Sequence, residues 1–417
     1  MKVKRVGVSV PQAPGGREVG YLAKKAQYIF DYASGAGPSE EIGIAYPGIE
    51  APFVTNYLQP IFTMNFPEGY LAEKIRQRMA KTPYNDLYVL SLIGDNQIGR
   101  LSYSTDEHAA IQRPAQVGLK AILSAPKADD VFSYLVEEYF ASGVSGVQPK
   151  VLVPDKDNLG DGERKTLIAS NLIVKAGLDE YEGLSQNEFL CMEAARFAGL
   201  SVPDYYLSDN RELFVMKRFD LEGTSRLGFE DISVLLDIPK DTTGNYKYTQ
   251  SYSTIADVLA AVCPEDPRQP ARFFEYLCLC VMVRNGDAHL KNFGVLYNDP
   301  SDPTGRRLSP IYDVTTTSIY PSYDAKRLRN SYDRTMALPL VTGGGRDRAY
   351  PDRNTLLEFG RRACMVSNPE AVLERVAEGM GQALRANKDR VERAVFEQLQ
   401  AEWDMGRFIA LNPSTAR

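Results

Sequence analysis

The chain has 417 residues, an apolar fraction of 44%, a charged fraction of 24% and a net charge of −6. That length exceeds one ordinary core and calls for two or three domains, while the composition is that of a globular chain. The negative balance argues against a broad nucleic-acid-coating surface and leaves room only for a local basic patch.

No apolar run approaches the roughly 18 residues of a membrane span. The opening MKVKRVGVSV reads as an edge strand, not a signal peptide, so the expected location is the cytoplasm, with no membrane partner. Cys191, Cys263, Cys278, Cys280 and Cys364 are scattered and odd in number, which fits reduced thiols. With His108 and His289 as the chain's histidines, a His-based metal centre is nearly excluded.

In chain order, residues 3–34 alternate as short strands, and ASGAGPSEEIGIAYPGIEAP is a Gly/Pro-rich loop. Leu71, Ile75 and Met79 recur at helical spacing and predict a helix over EGYLAEKIRQRMA. DLYVLSLIGDNQIGRLSYS predicts a helix end, a turn at Gly94–Asp95–Asn96 and a strand. Together these form an N-terminal α+β subdomain, residues 1–125.

A linker helix follows in ADDVFSYLVEEYFAS, then a Gly/Ser loop leads into the strand of GVSGVQPKVLVP. RKTLIASNLIVKAG adds strand. SQNEFLCMEAARFAGL is a helix, with Phe189, Met192, Ala195 and Phe197 as its apolar stripe and Gly199 placed to stop it. LFVMKRFD is another strand. Glycine loop, strand, strand with lysine, helix with glutamate, strand: this is the order of a small nucleotide-binding α/β lobe, residues 126–225. Beyond it, residues 226–417 read as a mostly helical large lobe, with RFFEYLCLCVMVRNGD as a buried helix and long amphipathic helices in the tail.

The chemistry concentrates in NGDAHLKNFGVLY. Asp287 and Asn292 stand five positions apart, the spacing of a protein-kinase catalytic loop. One carboxylate would orient an attacking hydroxyl, and a side-chain carbonyl would reach Mg²⁺, which takes hard oxygen ligands. The buried helix before and the strand after would hold such a loop rigid. A second acidic group is expected on a neighbouring strand, and IYDV supplies Asp313.

Each group alone also suits a turn, a cap or a solvated face, and His289 alone suits a structural role. The ordered set in one lobe favours a Mg-nucleotide site. Upstream, Lys175 ends NLIVK and would contact phosphates as a point charge. Glu188 or Glu193 on the next helix would pair with it. Gly143, Ser145 and Gly146 form a flexible loop whose amides would approach phosphate oxygens, although no Walker motif follows. MKRFD would set Met216–Phe219 at the adenine edge, with Asp220 near the ribose.

With these residues in order, the chain resembles the HipA family of bacterial toxin serine/threonine kinases over almost its whole length. NFPEGYL and LIGDNQIGRLSYS resemble the family's N-terminal subdomain, and SGVSGVQPKVLV its autophosphorylated glycine-containing loop. LIVK, NEFLCMEAARFAGLSVPD, MKRFD, NGDAHLKNF and IYDV follow in family order.

The resemblance implies an α+β, protein-kinase-like two-lobed fold with an appended N-terminal subdomain. It implies Asp287 as the catalytic base, completed by His289 and Lys291, and Asn292 and Asp313 as Mg²⁺ ligands. ATP would be bound by Ser145, Gly146, Lys150 and Lys175, by the backbone of Lys217 and Phe219, and by Asp220 at the ribose. The hinge position often held by Glu is Lys217 here. The family's inhibitory serine aligns with Gly143, one past Ser142, and Ser145 matches the second serine of a double-serine variant. Ser145, then Ser142, is therefore the expected autophosphorylation site; a phosphate there would add about −1.5 to −2 charge beside ATP and expel the loop.

The implied targets are aminoacyl-tRNA synthetases, glutamyl-tRNA synthetase being the best known in the family. The implied partner is a helix-turn-helix, HipB-like antitoxin, through which any DNA contact would be indirect. Two alternatives are a catalytically silent nucleotide-binding corepressor and a small-molecule kinase.

Overall fold

The computed structural model describes residues 3–11, 17–78, 85–105, 117–146, 148–156, 171–177, 181–223, 225–324, 329–342 and 347–411. His108, Met79 and the expected strand start at residues 164–170 lie outside the described residues. The chain divides into two compact units built from separated segments. Met1–Ala176, Ser208–Tyr246 and Val295–Arg306 form the first; Gly177–Leu207, Lys247–Gly294 and Arg307–Arg417 form the second.

The first unit begins with a 5-stranded antiparallel sheet in the order Phe53–Thr55, Tyr28–Tyr32, Glu18–Lys24, Arg5–Ser9, Ser102–Ser104. Val6, Val8, Val19, Leu22 and Phe30 are fully buried on it, each worth about 1.5–3 kcal/mol of transfer free energy. The helix Asp86–Ile93 packs against this sheet. Asn85 caps it by accepting the Tyr88 amide at 2.8 Å, and Gly94 ends it with a φ of 60°.

Farther along the same unit, Lys150–Val153, Leu172–Ala176 and Leu213–Lys217 pair antiparallel in that order. They are buried almost throughout. That is why they read as apolar runs and not as alternation. The linker helix Ala128–Tyr139 packs against the first two of these strands.

A buried ionic clamp ties residues 97–101 to the chain beyond this sheet. Arg218 donates twice to Asp220 and once to the Gln97 carbonyl, while the Gly99 amide donates to Asp220 at 2.6 Å. Arg226 reaches the carbonyls of Gln97, Gly99 and Leu101.

The pattern after residue 225 predicts helix, yet the short strands Ser225–Arg226 and Gly228–Asp231 come first. The reason is the wholly buried Glu230, whose carboxylate accepts the amides of Ile44 at 2.6 Å and Ala45 at 3.1 Å. A polar residue inside a strand gives no apolar signal along the sequence.

The second unit is helical: Leu184–Phe197, Tyr252–Val262, Gln269–Met282, Arg353–Arg362, Pro369–Asn387 and Arg393–Leu411. Ser251, Asp352 and Asn368 cap three of these helices through the amides of Thr254, Thr355 and Ala371. Pro369–Asn387 packs on Leu184–Phe197, on Gln269–Met282 and on Arg393–Leu411. At Gly406 the last helix runs so close that a Cβ would stand 1.8 Å from the Met282 carbonyl oxygen.

All five cysteines are buried, and no disulfide joins any two of them. Among the described residues no helix is long and apolar enough to cross a membrane.

Candidate active site

The helix Gln269–Met282 is apolar nearly all round because its sides are covered, and it delivers the NGDAHLKN loop from a rigid base. Past its end, Arg284 adopts a φ of 60° and turns the chain. The Asn285 amide returns to the Cys280 carbonyl at 2.8 Å, and the Asn285 side chain accepts the Asp287 amide at 3.0 Å, an Asx turn. Gly286 donates to Thr317 Oγ1 at 2.7 Å, and a Cβ there would lie 2.6 Å from the Thr335 carbonyl oxygen. Only glycine fits that gap.

Beyond this wedge Asp287 emerges with its side chain 56% exposed. Tyr252 fixes the next carbonyl, that of Ala288, at 2.9 Å. Residues Leu290–Asn292 close a short 3-10 turn in which Asn292 Oδ1 accepts the His289 amide and the Asn292 amide donates to the His289 carbonyl, both at 3.0 Å.

Asp313 does not sit on a strand, as expected, but in a bend with a φ of 53°. Two tyrosines bring it to the loop. The Tyr276 hydroxyl lies 2.8 Å from the Tyr312 carbonyl and 3.4 Å from the Asn292 carbonyl. The Tyr312 hydroxyl donates to the Lys291 carbonyl at 2.7 Å. Asp313 is thus one residue from a side chain stitched to the Lys291–Asn292 backbone.

Farther on, Asn187 brackets Thr316, and Trp403 Nε1 donates to Thr316 Oγ1 at 2.8 Å. None of Tyr276, Tyr312, Asn187 and Trp403 is singled out by the sequence. Only the adjacency of Tyr312 to Asp313 offered a hint.

His289 is buried, with Nε2 3.9 Å from Asp287 Oδ1 and Nδ1 without a hydrogen-bond partner among the described residues. Burial pushes its pKa down to about 4, against the pull of Asp287 and Asp313 and with the push of Lys247 and Lys291. The imidazole is therefore neutral at pH 7 and braces the loop.

Among the described residues no three His, Cys, Asp or Glu side chains converge. A Mg²⁺ ion does not require that. It keeps several waters and takes one or two protein oxygens plus phosphate, so the Asn292 amide oxygen and the Asp313 carboxylate suit it.

In the first unit, Lys150 pairs with Lys175, and Lys175 with Phe214, in register. Opposed residues share a face, so two lysines stand side by side, 4% and 1% exposed. Lys175 Nζ lies 5.5 Å from the Phe214 ring centroid. The glycine loop meets them: Gly146 has a φ of 128°, and a Cβ on it would stand 2.5 Å from Lys150 Nζ.

Ser145 Oγ is buried without a hydrogen-bond partner among the described residues. Ser142, by contrast, is fully buried; it donates to the Tyr139 carbonyl at 2.6 Å and accepts the Leu152 amide at 3.1 Å. Lys217 ends its strand half-buried, and Phe219 packs edge-on against Phe229 at 5.4 Å. Asp220 is wholly buried with both oxygens engaged by Arg218 and Gly99, a structural anchor in this conformation.

In the second unit, the Glu193 carboxylate is taken by Arg196, Tyr205 and Asn387.

A buried helix that presents a carboxylate–amide loop, with an acidic bend stitched to it, and a lysine-bearing antiparallel sheet define a mixed α+β protein of kinase-like fold. The chain belongs to the HipA family. Residues 14–104 match the HipA N-terminal domain and residues 142–387 the HipA-like C-terminal domain.

Its fold is similar to that of HipA in the Shewanella oneidensis MR-1 toxin–antitoxin complex of HipA, HipB and operator DNA. The TM-score is 0.60 and the identity 16%, over 98% of this chain and 100% of that one. In sequence it is similar to "Putative kinase Y4dM" of Sinorhizobium fredii, 26% identical over 67% of each chain. A second relative is "Putative kinase" of Haemophilus influenzae, 29% identical over 48% of this chain and 57% of that one.

Proposed function

We propose that this protein is an ATP- and Mg²⁺-dependent serine/threonine protein kinase that acts as the toxin of a toxin–antitoxin pair. The observation that carries this reading is the exposed Asp287 carboxylate on a loop whose backbone is bonded to the neighbour of Asp313 and whose Asn292 amide closes the turn. Kinase names among the relatives support it.

Asn292 Oδ1 and the Asp313 carboxylate would hold the metal, which when bound neutralises phosphate charge during in-line transfer. Asp287 orients the acceptor hydroxyl and accepts its proton. Lys150 and Lys175, opposed on one sheet face, would bind phosphates as point charges. The Lys217 and Phe219 backbone takes the adenine. Asp220 contributes by holding residues 97–101. His289 and Lys291 keep the loop in shape.

Ser145 is the proposed autophosphorylation site. Its hydroxyl has no hydrogen-bond partner among the described residues, whereas that of Ser142 has three. The partner is a HipB-like antitoxin, by likeness to the Shewanella complex, and the target a translation protein such as an aminoacyl-tRNA synthetase.

The test is incubation with labelled ATP and Mg²⁺, with and without cell extract, followed by mapping of modified serines. Wild type should transfer phosphate and Asp287→Asn should not, with the fold intact. Equal autophosphorylation by that variant would remove Asp287 from its role.

A further inference from the structure

A base whose side chain is 56% exposed needs aiming, because an unrestrained carboxylate samples several rotamers. Asp287 is restrained by a residue far from its motif. The Tyr248 hydroxyl donates to Asp287 Oδ1 at 2.6 Å. The Tyr248 ring stands edge-on to the buried His289 ring, with centroids 5.2 Å apart and planes at 77°. His289 Nε2 flanks the same carboxylate oxygen at 3.9 Å. The other carboxylate oxygen, Oδ2, has no hydrogen-bond partner among the described residues. One oxygen is held by the tyrosine hydroxyl with the imidazole beside it, and its twin is left to receive a hydroxyl.

We propose that Tyr248 is a positioning residue for phosphotransfer: its hydroxyl locks Asp287 Oδ1 so that Oδ2 faces the acceptor. As the acceptor oxygen bonds to the γ-phosphorus, the bond from that phosphorus to the diphosphate oxygen breaks. The acceptor's proton passes to Oδ2. Tyr248 exchanges no proton and touches no phosphate. The inference rests on the kinase reading above and adds to it a residue that belongs to none of the loop's motifs.

The experiment uses the dephosphorylated full chain with labelled MgATP, its own serines serving as acceptor. Initial rates are followed against MgATP concentration for wild type and Tyr248→Phe. Loss of a hydrogen bond to a charged group predicts a saturating rate lower by about tenfold or more, at an unchanged half-saturating MgATP concentration and melting temperature. A Tyr248→Phe rate equal to wild type overturns the proposal. So does a weakened MgATP dependence that accounts for the loss, since it would make Tyr248 a nucleotide-binding or merely structural residue. Wild type that transfers no phosphate defeats the kinase reading and this inference together; an active wild type with an unaffected Tyr248→Phe defeats this inference alone.

Discussion

Asn187 reads the backbone of Thr316 in both directions: its Oδ1 accepts the Thr316 amide at 2.8 Å and its Nδ2 donates to the Thr316 carbonyl at 3.0 Å. Both residues are buried, so water cannot replace either bond. This pair holds the segment that follows Asp313.

Replacing Asn187 with Leu would strand two buried backbone groups. Each unpaired group costs about 1–3 kcal/mol, so denaturant unfolding should show a loss of about 2–6 kcal/mol. Phosphate transfer should fall further than stability alone accounts for, because Asp313 loses its anchor. A variant as stable and active as wild type would contradict the role given to Asn187.

Gly286→Ala should act through the same framework. The added Cβ meets the Thr335 carbonyl oxygen at 2.6 Å, backbone against backbone, and overpacking of this kind costs about 1–3 kcal/mol. Because Asp287 is the next residue, the shift falls on the base. Activity should drop at least about tenfold, since small displacements of reacting groups are that costly. A crystal structure of the variant should show the loop moved; an unmoved loop with full activity would refute the wedge.

His289 gives the metal-free protein a pH dependence of stability. Its folded pKa of about 4 lies below the ordinary 6.5. Above pH 6.5 the ring is neutral in both states and costs nothing further. As pH falls toward 4 the unfolded chain gains a proton that the folded one refuses, and stability declines by up to about 3 kcal/mol. His289→Gln should lose much less across that window. Identical pH profiles of melting temperature for the two proteins would refute a buried neutral histidine.

The two candidate serines should separate cleanly. Ser142→Ala leaves the Leu152 amide without its acceptor inside the first unit, so a loss of about 1–3 kcal/mol is expected. Ser145→Ala removes a hydroxyl with no hydrogen-bond partner among the described residues; stability should hold within about 0.5 kcal/mol, while autophosphorylation disappears. Mass spectrometry showing phosphate on Ser142 in the folded protein would reverse this assignment.

Local signals made much of the molecule legible. The turn at Gly94–Asp95–Asn96 marked the end of Asp86–Ile93, and Gly199, placed to stop its helix, ends Leu184–Phe197 with a φ of 70°. Apolar runs located the strands around Lys150, Lys175 and Lys217. The spacing of Asp287 and Asn292 marked the loop, because a carboxylate and an amide serving one turn must lie close along the chain.

Folding alone decided the rest. The strand around Glu230 was missed because its burial is made tolerable by amides from residues 44 and 45. The bend at Asp313 was read as strand because a non-glycine residue at positive φ has no sequence mark. Asp220 and Glu193 look alike as free carboxylates in the sequence, yet partners distant along the chain engage both. Tyr248, Tyr276 and Asn187 act across long sequence separations. By itself the sequence determined which segments become helix, strand and catalytic loop, since propensity and periodicity are properties of neighbours. Which oxygen meets which donor was decided only in the folded chain, where hydrogen bonds depend on distances that the order of residues does not contain.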